Sequence, residues 1–145
     1  LREGWLSSVA PHVREFETAF HTQLLELGGA PRVQVAATQS GTSAFWMGLH
    51  LLGLQPGDEI ICPCYTFHAT ITSILYTGAI PVLCDNGPDG NIDPVEIEKK
   101  ITTKTKAVII THMWGVPCDM EKIVRICQLL SPKGMHKGIR LFLFG

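Results

Sequence analysis

A glycine flanked by hydroxyl side chains, in the run Ser40-Gly41-Thr42-Ser43, lies between a short apolar stretch and an apolar helical pattern. If a helix begins here, the backbone N–H groups of Gly41 and Thr42 lie at its N-terminus with hydroxyl groups beside them. Such a group of donors suits an anion, phosphate in particular. An ordinary serine or threonine cap with a turn glycine also explains the same residues. The run matches neither the P-loop nor the G-x-G-x-x-G pattern, so nucleotide binding has little support.

The aromatic residue Phe67 follows a second apolar stretch, and a ring at such a position could stack on a flat cofactor. A core phenylalanine at the start of a helix is the alternative interpretation. The neighbouring Cys62 and Cys64 are spaced C-x-C rather than C-x-x-C, and no second Cys/His pair has zinc spacing. The sequence therefore predicts no metal site here.

His112 and Trp114 follow a third apolar stretch, residues 105–111. A single histidine without a partner pattern is more often structural than catalytic, so we assign no catalytic role to His112. Asp119, further along, is the type of residue that caps the N-terminus of a helix. Asp93 is another such residue, and Pro94 after it suits the first position of a helix.

Length and composition describe a folded chain of one-domain size, with 145 residues, 46% hydrophobic and 17% charged. The net charge of −1 and the pI near 6.6 argue against nucleic acid or an anionic membrane as a partner. No apolar run reaches the roughly 18 residues of a membrane-spanning helix, and no signal-peptide pattern is seen. The five cysteines are expected to be reduced thiols, and the protein is expected to be cytoplasmic.

Short apolar stretches alternate with helical patterns, which predicts βαβ units around a mostly parallel sheet. The predicted helices cover residues 11–27, 42–52, 69–76, 94 onwards and 119–130. The predicted strands cover residues 33–37, 59–62, 80–84, 105–111 and 139–144. The fold class is therefore α/β, with three layers and helices on both faces of the sheet. Ligands of such sheets bind beyond the carboxyl ends of the strands, where Phe67 and His112 are expected.

Taken together, these segments closely resemble the DegT/DnrJ/EryC1/StrS sugar aminotransferases over roughly residues 1–130. Each motif alone is weak, whereas the order of the motifs along the chain is specific. The matching stretches are GWLSS (4–8), VREFE (13–17), SGTSA (40–44), PGDEI (56–60), YTFHAT (65–70), YTGAIPV (76–82), NIDP (91–94), IT with TKAVI (101–109), and HMWG with PCDM (112–120).

The resemblance implies a type I aminotransferase fold that binds pyridoxal 5′-phosphate (PLP). Gly41 and Thr42 match the positions that hold the cofactor phosphate, and Phe67 matches the aromatic residue that stacks on the pyridine ring. The loop at residues 4–8 is expected to border the active site. Family members commonly transfer an amino group from glutamate to a keto group of a nucleotide-linked sugar. They are usually homodimers with active sites at the subunit interface.

The resemblance also identifies groups that this chemistry requires and that the chain lacks. PLP enzymes use a Schiff-base lysine and an acid that keeps the pyridine nitrogen protonated. In the family the acid follows the next strand, where this sequence has Phe144 or Gly145. None of the seven lysines follows the family's serine-rich turn. We therefore assign no catalytic residue within this chain, and its substrate-binding residues are unknown.

The resemblance predicts a partial PLP-binding large domain, a fragment that is inactive alone and lacks the small domain. Its expected parts are an N-terminal loop and helix (1–32), a βαβ core (33–130) and a divergent tail (131–145). In a partial domain of this kind we expect the apolar faces of the strand near Val108 and of the strand at residues 139–144 to be partly exposed. Two alternatives stay open. One is a sugar dehydratase on the same scaffold, with histidine in place of the lysine, and the other is a non-catalytic remnant or partner-binding chain.

Overall fold

Helices and strands alternate along the chain in the computed structural model, which describes residues 11–29, 33–130 and 139–144. The chain divides into two compact units, residues 1–44 and 45–145. The helices are α1 (Pro11–Glu26), α2 (Gly41–His50), α3 (His68–Tyr76), α4 (Pro94–Lys100) and α5 (Met120–Leu129). The strands are β1 (Glu59–Pro63), β2 (Ile80–Cys84), β3 (Thr105–Thr111) and β4 (Arg140–Phe144), and a 3-10 turn covers Met113–Gly115.

In the first unit, residues 33–37 form no strand, so that prediction is wrong. A strand satisfies its backbone groups on a neighbouring strand. Here the backbone N–H of Ala37 instead donates to the carboxylate of Glu17, in α1, over 2.8 Å. The prediction of α1 is confirmed, and Phe16 and Phe20 stack along it with ring centroids 5.9 Å apart.

The second unit is built on a four-stranded sheet with the order β2-β1-β3-β4, and all its neighbouring strands are parallel. Ile61 of β1 lies opposite both Val82 of β2 and Val108 of β3. Val108 in turn lies opposite Leu141 of β4. The predicted α/β class with a parallel sheet is confirmed.

Helices cover both faces of the sheet because successive strand residues point to opposite faces. The cluster under α2 and α3 contains Phe45, Leu49, Ile60, Cys62, Ile74, Ala79, Ala107 and Ile109. The cluster under α4 and α5 contains Ile61, Cys84, Ile92, Ile97, Val108, Ile110, Cys118, Ile123, Cys127 and Ile139.

Val108 has no exposed surface, so the expectation of partial exposure there is wrong. The helices over its face and the pairing of β3 with β4 cover it.

The strand order changes direction at β1, so the topological switch point of the sheet lies between β1 and β3. From β1 the chain adds β2 on one side and then returns past β1 to add β3 on the other side. Open α/β sheets bind ligands beyond the carboxyl ends of the strands at such a switch point. The segments 64–67 and 112–119 follow β1 and β3 and therefore border this position.

Capping residues fix the starts of the two helices on one face. Asp93 accepts a hydrogen bond from the N–H of Val95 over 2.8 Å, and Pro94 occupies the first position of α4. Asp119 accepts from the N–H of Lys122 over 3.1 Å at the start of α5. Both predicted caps are confirmed. In the part of the chain that the structure describes, no helix is both long and apolar enough to cross a membrane.

Candidate functional site

The start of α2 presents backbone N–H donors in the loop that follows residues 33–37. Ser40 caps the helix, since its Oγ accepts from the N–H of Ser43 over 3.2 Å and lies 3.0 Å from the Ser43 hydroxyl. The N–H of Ala44 donates to the Ser40 carbonyl over 3.0 Å. Among the described residues, the N–H groups of Gly41 and Thr42 have no acceptor. Two unbonded donors at a helix N-terminus, with hydroxyls beside them, suit an anion.

Phe67 lies at the carboxyl edge of β1 as the N-cap residue of α3, with φ −69° and ψ 142°. Phe67 is 59% exposed and belongs to neither of the two buried clusters. The ring centroid lies 4.2 Å from that of His68. An open aromatic ring at this edge can stack on a planar ligand.

Two threonine hydroxyls, those of Thr70 and Thr111, hold Thr66, the residue that precedes Phe67. The Oγ1 atom of Thr66 lies 2.9 Å from Oγ1 of Thr70 and 3.2 Å from Oγ1 of Thr111. Thr70 is completely buried, and Thr111 is buried at the end of β3. Thr66 therefore links the loop after β1 to α3 and, across the switch point, to β3.

Asn86, in the loop after β2, binds the same segment from the other side. Its Oδ1 atom accepts from the N–H of Tyr65 over 3.0 Å and from the thiol of Cys64 over 3.2 Å. Its Nδ2 atom donates to the carbonyl of Gly90 over 2.7 Å. Gly90 has φ +80°, and an added Cβ would lie 3.8 Å from the Tyr65 ring. Asn86 thus ties the loops after β1 and β2 together.

His112 is half-buried and its ring accepts a hydrogen bond within its own loop. The Nδ1 atom accepts from the N–H of Cys118 over 3.1 Å, so a neutral ring carries its hydrogen on Nε2. The thiol of Cys118 donates to the carbonyl of Thr111 over 3.2 Å. Between them, Trp114 adopts φ +54° and is 84% exposed. His112 therefore closes the loop after β3, which agrees with the structural interpretation of a single histidine.

Asn91 is a buried residue of this edge that the sequence reasoning missed. Its Oδ1 atom accepts from the N–H of Met113 over 3.0 Å, and its Nδ2 atom donates to Asp89 over 3.0 Å and to the carbonyl of Val116 over 3.2 Å. It ties the loop after β2 to the loop after β3. The asparagine in the matched stretch NIDP was the signal that could have indicated it, although its partners are distant in the sequence.

The cysteines near this edge are mostly buried packing groups. Cys62, Cys84, Cys118 and Cys127 are buried, and Cys64 is exposed. Burial raises the pKa of Cys62 and Cys84 to about 12 and that of Cys127 to about 11, and it also raises the pKa of Cys118. These thiols stay protonated at neutral pH and pack as small apolar groups. The described residues contain no group of three His, Cys, Asp or Glu side chains that could hold a metal ion.

The predicted site residues fall into both units of the chain. Gly41 and Thr42 belong to the first unit, whereas Phe67 and His112 belong to the second. The loop predicted at residues 4–8 and the position Gly145 lie outside the described residues.

Comparison with known proteins identifies similar sequences and structures. A profile of the DegT/DnrJ/EryC1/StrS aminotransferase family matches residues 1–131. GDP-perosamine synthase from Escherichia coli O157:H7 is 40% identical over 130 residues, which are 88% of this chain and 34% of that protein. Spore coat polysaccharide biosynthesis protein SpsC from Bacillus subtilis (strain 168) is 40% identical over 129 residues, which are 88% of this chain and 31% of that protein.

A solved structure extends this similarity to three dimensions. NtdA from Bacillus subtilis, with bound cofactor PMP, matches with a TM-score of 0.76 and 37% identity. The match covers 88% of this chain and 28% of NtdA. The chain spans about a third of the length of the curated relatives that it matches.

Proposed function

Because the chain belongs to the DegT/DnrJ/EryC1/StrS aminotransferase family, we propose that residues 1–145 form part of the PLP-binding large domain of a nucleotide-sugar aminotransferase. The family depends on PLP. The observation that carries the proposal is that the N–H groups of Gly41 and Thr42, in the family-matched run, have no acceptor among the described residues.

Two features of the described residues fit PLP. The N–H groups of Gly41 and Thr42 and the Thr42 hydroxyl would bind the phosphate, which accepts several hydrogen bonds. The exposed ring of Phe67 would stack on the pyridine ring. PLP supplies an electron sink for the carbon that carries the reacting amino group. The role of these three residues is to bind and orient the cofactor, and no proton transfer is assigned to them.

The proposed substrate is a keto sugar linked to a nucleotide, with glutamate as the amino donor. Relatives named GDP-perosamine synthase support this class of substrate. We propose a cytoplasmic homodimer for the whole enzyme. The 145-residue chain alone is proposed to be inactive, since none of its seven lysines matches the Schiff-base position of the family.

Binding of pyridoxamine 5′-phosphate (PMP) tests the cofactor site without the lysine, because PMP already carries its amino group. We expect Thr42→Ala and Phe67→Ala each to weaken PMP binding about three- to tenfold, measured by the change in PMP fluorescence on titration. Thr103→Ala and Leu75→Ala are matched controls at exposed positions and are expected to bind like the unmodified chain. Absence of PMP binding, or equal binding by all four variants, would contradict the proposed site.

An activity assay tests the proposal that the chain is inactive alone. The purified chain is mixed with PLP, glutamate and a GDP-linked 4-keto sugar, and amino-sugar formation is followed by mass spectrometry. We expect no amino sugar. Turnover that disappears on replacement of one of the seven lysines would show that the chain supplies its own Schiff-base residue.

A further inference from the structure

The segment that leads into Phe67 is bound from both neighbouring strands. β1 lies between β2 and β3 in the sheet. From the β2 side, Asn86 accepts the N–H of Tyr65 over 3.0 Å. From the β3 side, the hydroxyl of Thr111 lies 3.2 Å from that of Thr66. The two residues immediately before Phe67 are therefore held from opposite sides, Tyr65 by Asn86 in the loop after β2 and Thr66 by Thr111 at the end of β3.

Asn86 and Thr111, the two anchors of this segment, are themselves fixed by other contacts. Asn86 donates through Nδ2 to the carbonyl of Gly90 over 2.7 Å, which sets the direction of its Oδ1 atom. Thr111 ends a strand that pairs on both sides, and only 9% of its surface is exposed. Thr66 also contacts the completely buried Thr70 of α3. Neither anchor can follow a movement of the loop without breaking other hydrogen bonds.

The ring of Phe67 has little packing of its own to hold it. It is 59% exposed, and its one described ring contact is with the exposed His68. The position of such a ring depends on where its backbone is held, because solvent offers no opposing contacts. A stacking ligand, however, requires the ring at a defined place and angle.

We propose that Thr111 and Asn86 are positioning residues that place the Phe67 ring for stacking on a planar ligand. The identity of that ligand as PLP or PMP rests on the proposed function. Thr111 acts through Thr66, and Asn86 acts through the backbone of Tyr65. Both residues act on ligand binding indirectly, through the place at which they hold Phe67.

The test compares variants that remove or keep the anchoring hydroxyl. Thr111→Val removes it with little change of shape, and Thr111→Ser keeps it. Thr105→Val is the matched control. Thr105 is a buried threonine at the opposite end of the same strand, and its hydroxyl accepts a hydrogen bond from the N–H of Thr102 over 2.9 Å. Asn86→Ala, with Asn86→Asp as the variant that keeps an acceptor, provides the second pair.

Two measurements are made on the full 145-residue chain. The first is the ¹⁹F spectrum of 4-fluorophenylalanine placed at position 67, without ligand. The second is PMP affinity by titration. In Thr111→Val and Asn86→Ala we expect an altered or broadened fluorine signal and about five- to tenfold weaker PMP binding. In Thr111→Ser and Thr105→Val we expect the fluorine signal of the unmodified chain. In Asn86→Asp, which keeps an acceptor for the N–H of Tyr65 but loses the donor to the Gly90 carbonyl, we expect a smaller change than in Asn86→Ala.

The outcomes separate this inference from the proposed function. An unchanged fluorine signal in both Thr111→Val and Asn86→Ala overturns the positioning role. The same change in Thr105→Val overturns it as well, because the effect would then be global. If the unmodified chain binds no PMP, the proposed function fails, whereas the fluorine signal still decides whether these residues position the ring. If Thr111→Val does not fold, the Asn86 pair decides.

Discussion

The backbone N–H of Cys118 donates a hydrogen bond to Nδ1 of His112 over 3.1 Å, which closes the loop after β3 around an imidazole. Cys118 is only 5% exposed, so its N–H group has little access to water. A buried donor that loses its acceptor retains the full cost of its desolvation. The side chain of His112 therefore stabilises the folded chain by accepting this hydrogen bond.

Replacement of His112 tests this acceptor role. His112→Phe is expected to lower the free energy of unfolding by about 1–3 kcal/mol, because the N–H of Cys118 is left unbonded. His112→Asn is expected to recover part of that loss, since its Oδ1 atom can reach the place of Nδ1. Urea unfolding measures both variants. Equal stability of the two would show that the acceptor contributes nothing.

Ser73 carries a buried hydroxyl that has no hydrogen-bond partner within the described part of the chain. Ser73→Ala is expected to raise the free energy of unfolding by about 1 kcal/mol, because it removes an unpaired polar group without a large change of volume. Thr70→Val on the same helix is the contrasting variant and is expected to destabilise, since the Thr70 hydroxyl is bonded. Thermal unfolding compares the variants, and a destabilised Ser73→Ala would refute the assignment.

Trp114 has a positive φ of 54°, a conformation that costs L-residues about 1–2 kcal/mol and glycine very little. Its side chain is largely exposed, so truncation removes little packing. Trp114→Gly is therefore expected to be more stable than Trp114→Ala by about 1 kcal/mol. Chemical denaturation of the two variants checks the order. The reverse order would mean that the backbone is not strained at this position.

The free energy of unfolding is expected to fall in alkaline solution because of the buried thiols. Burial raises the pKa of Cys62 and Cys84 from 9.0 to about 12 in the folded chain. Their contribution is fully present below pH 9. As the pH rises from about 9 towards 12, the unfolded chain ionises first and stability is lost, by at most about 1.4 kcal/mol per pH unit for each thiol.

Urea unfolding at pH 8 and pH 10, with a reductant, measures this loss. The double variant Cys62→Ala with Cys84→Ala is the control, and its stability is expected to decline less between the two pH values. Other groups that titrate in this range act on both proteins alike. An identical decline in both would rule out the thiols as its cause.

Local patterns in the sequence predict the elements whose signals are themselves local. The pair Asp93-Pro94 predicts the start of α4, and the apolar run of β3 predicts a buried strand. Residues 33–37 have a similar apolar pattern but form no strand, because strand formation depends on a partner that the pattern does not specify.

The candidate site is predicted less completely than the fold. Phe67 is found from its type and its place after a strand. The contacts that hold its loop join Thr66 to Thr111 across 45 positions and Tyr65 to Asn86 across 21 positions. Such pairs follow from the order of strands in the sheet, and no local pattern of threonine or asparagine specifies that order.

The strand order has a consequence for the chain as it leaves the ribosome. β1 is complete at Pro63, but its neighbours begin only at Ile80 and Thr105. Translation at about 5–20 residues per second leaves β1 for seconds with one open edge after β2 has paired. An unpaired apolar edge is where nascent chains associate wrongly. The same holds for β3, whose second edge stays open until β4 emerges from Arg140 onwards. A chaperone that covers first the open edge of β1 and then that of β3 would therefore raise the yield of folded protein.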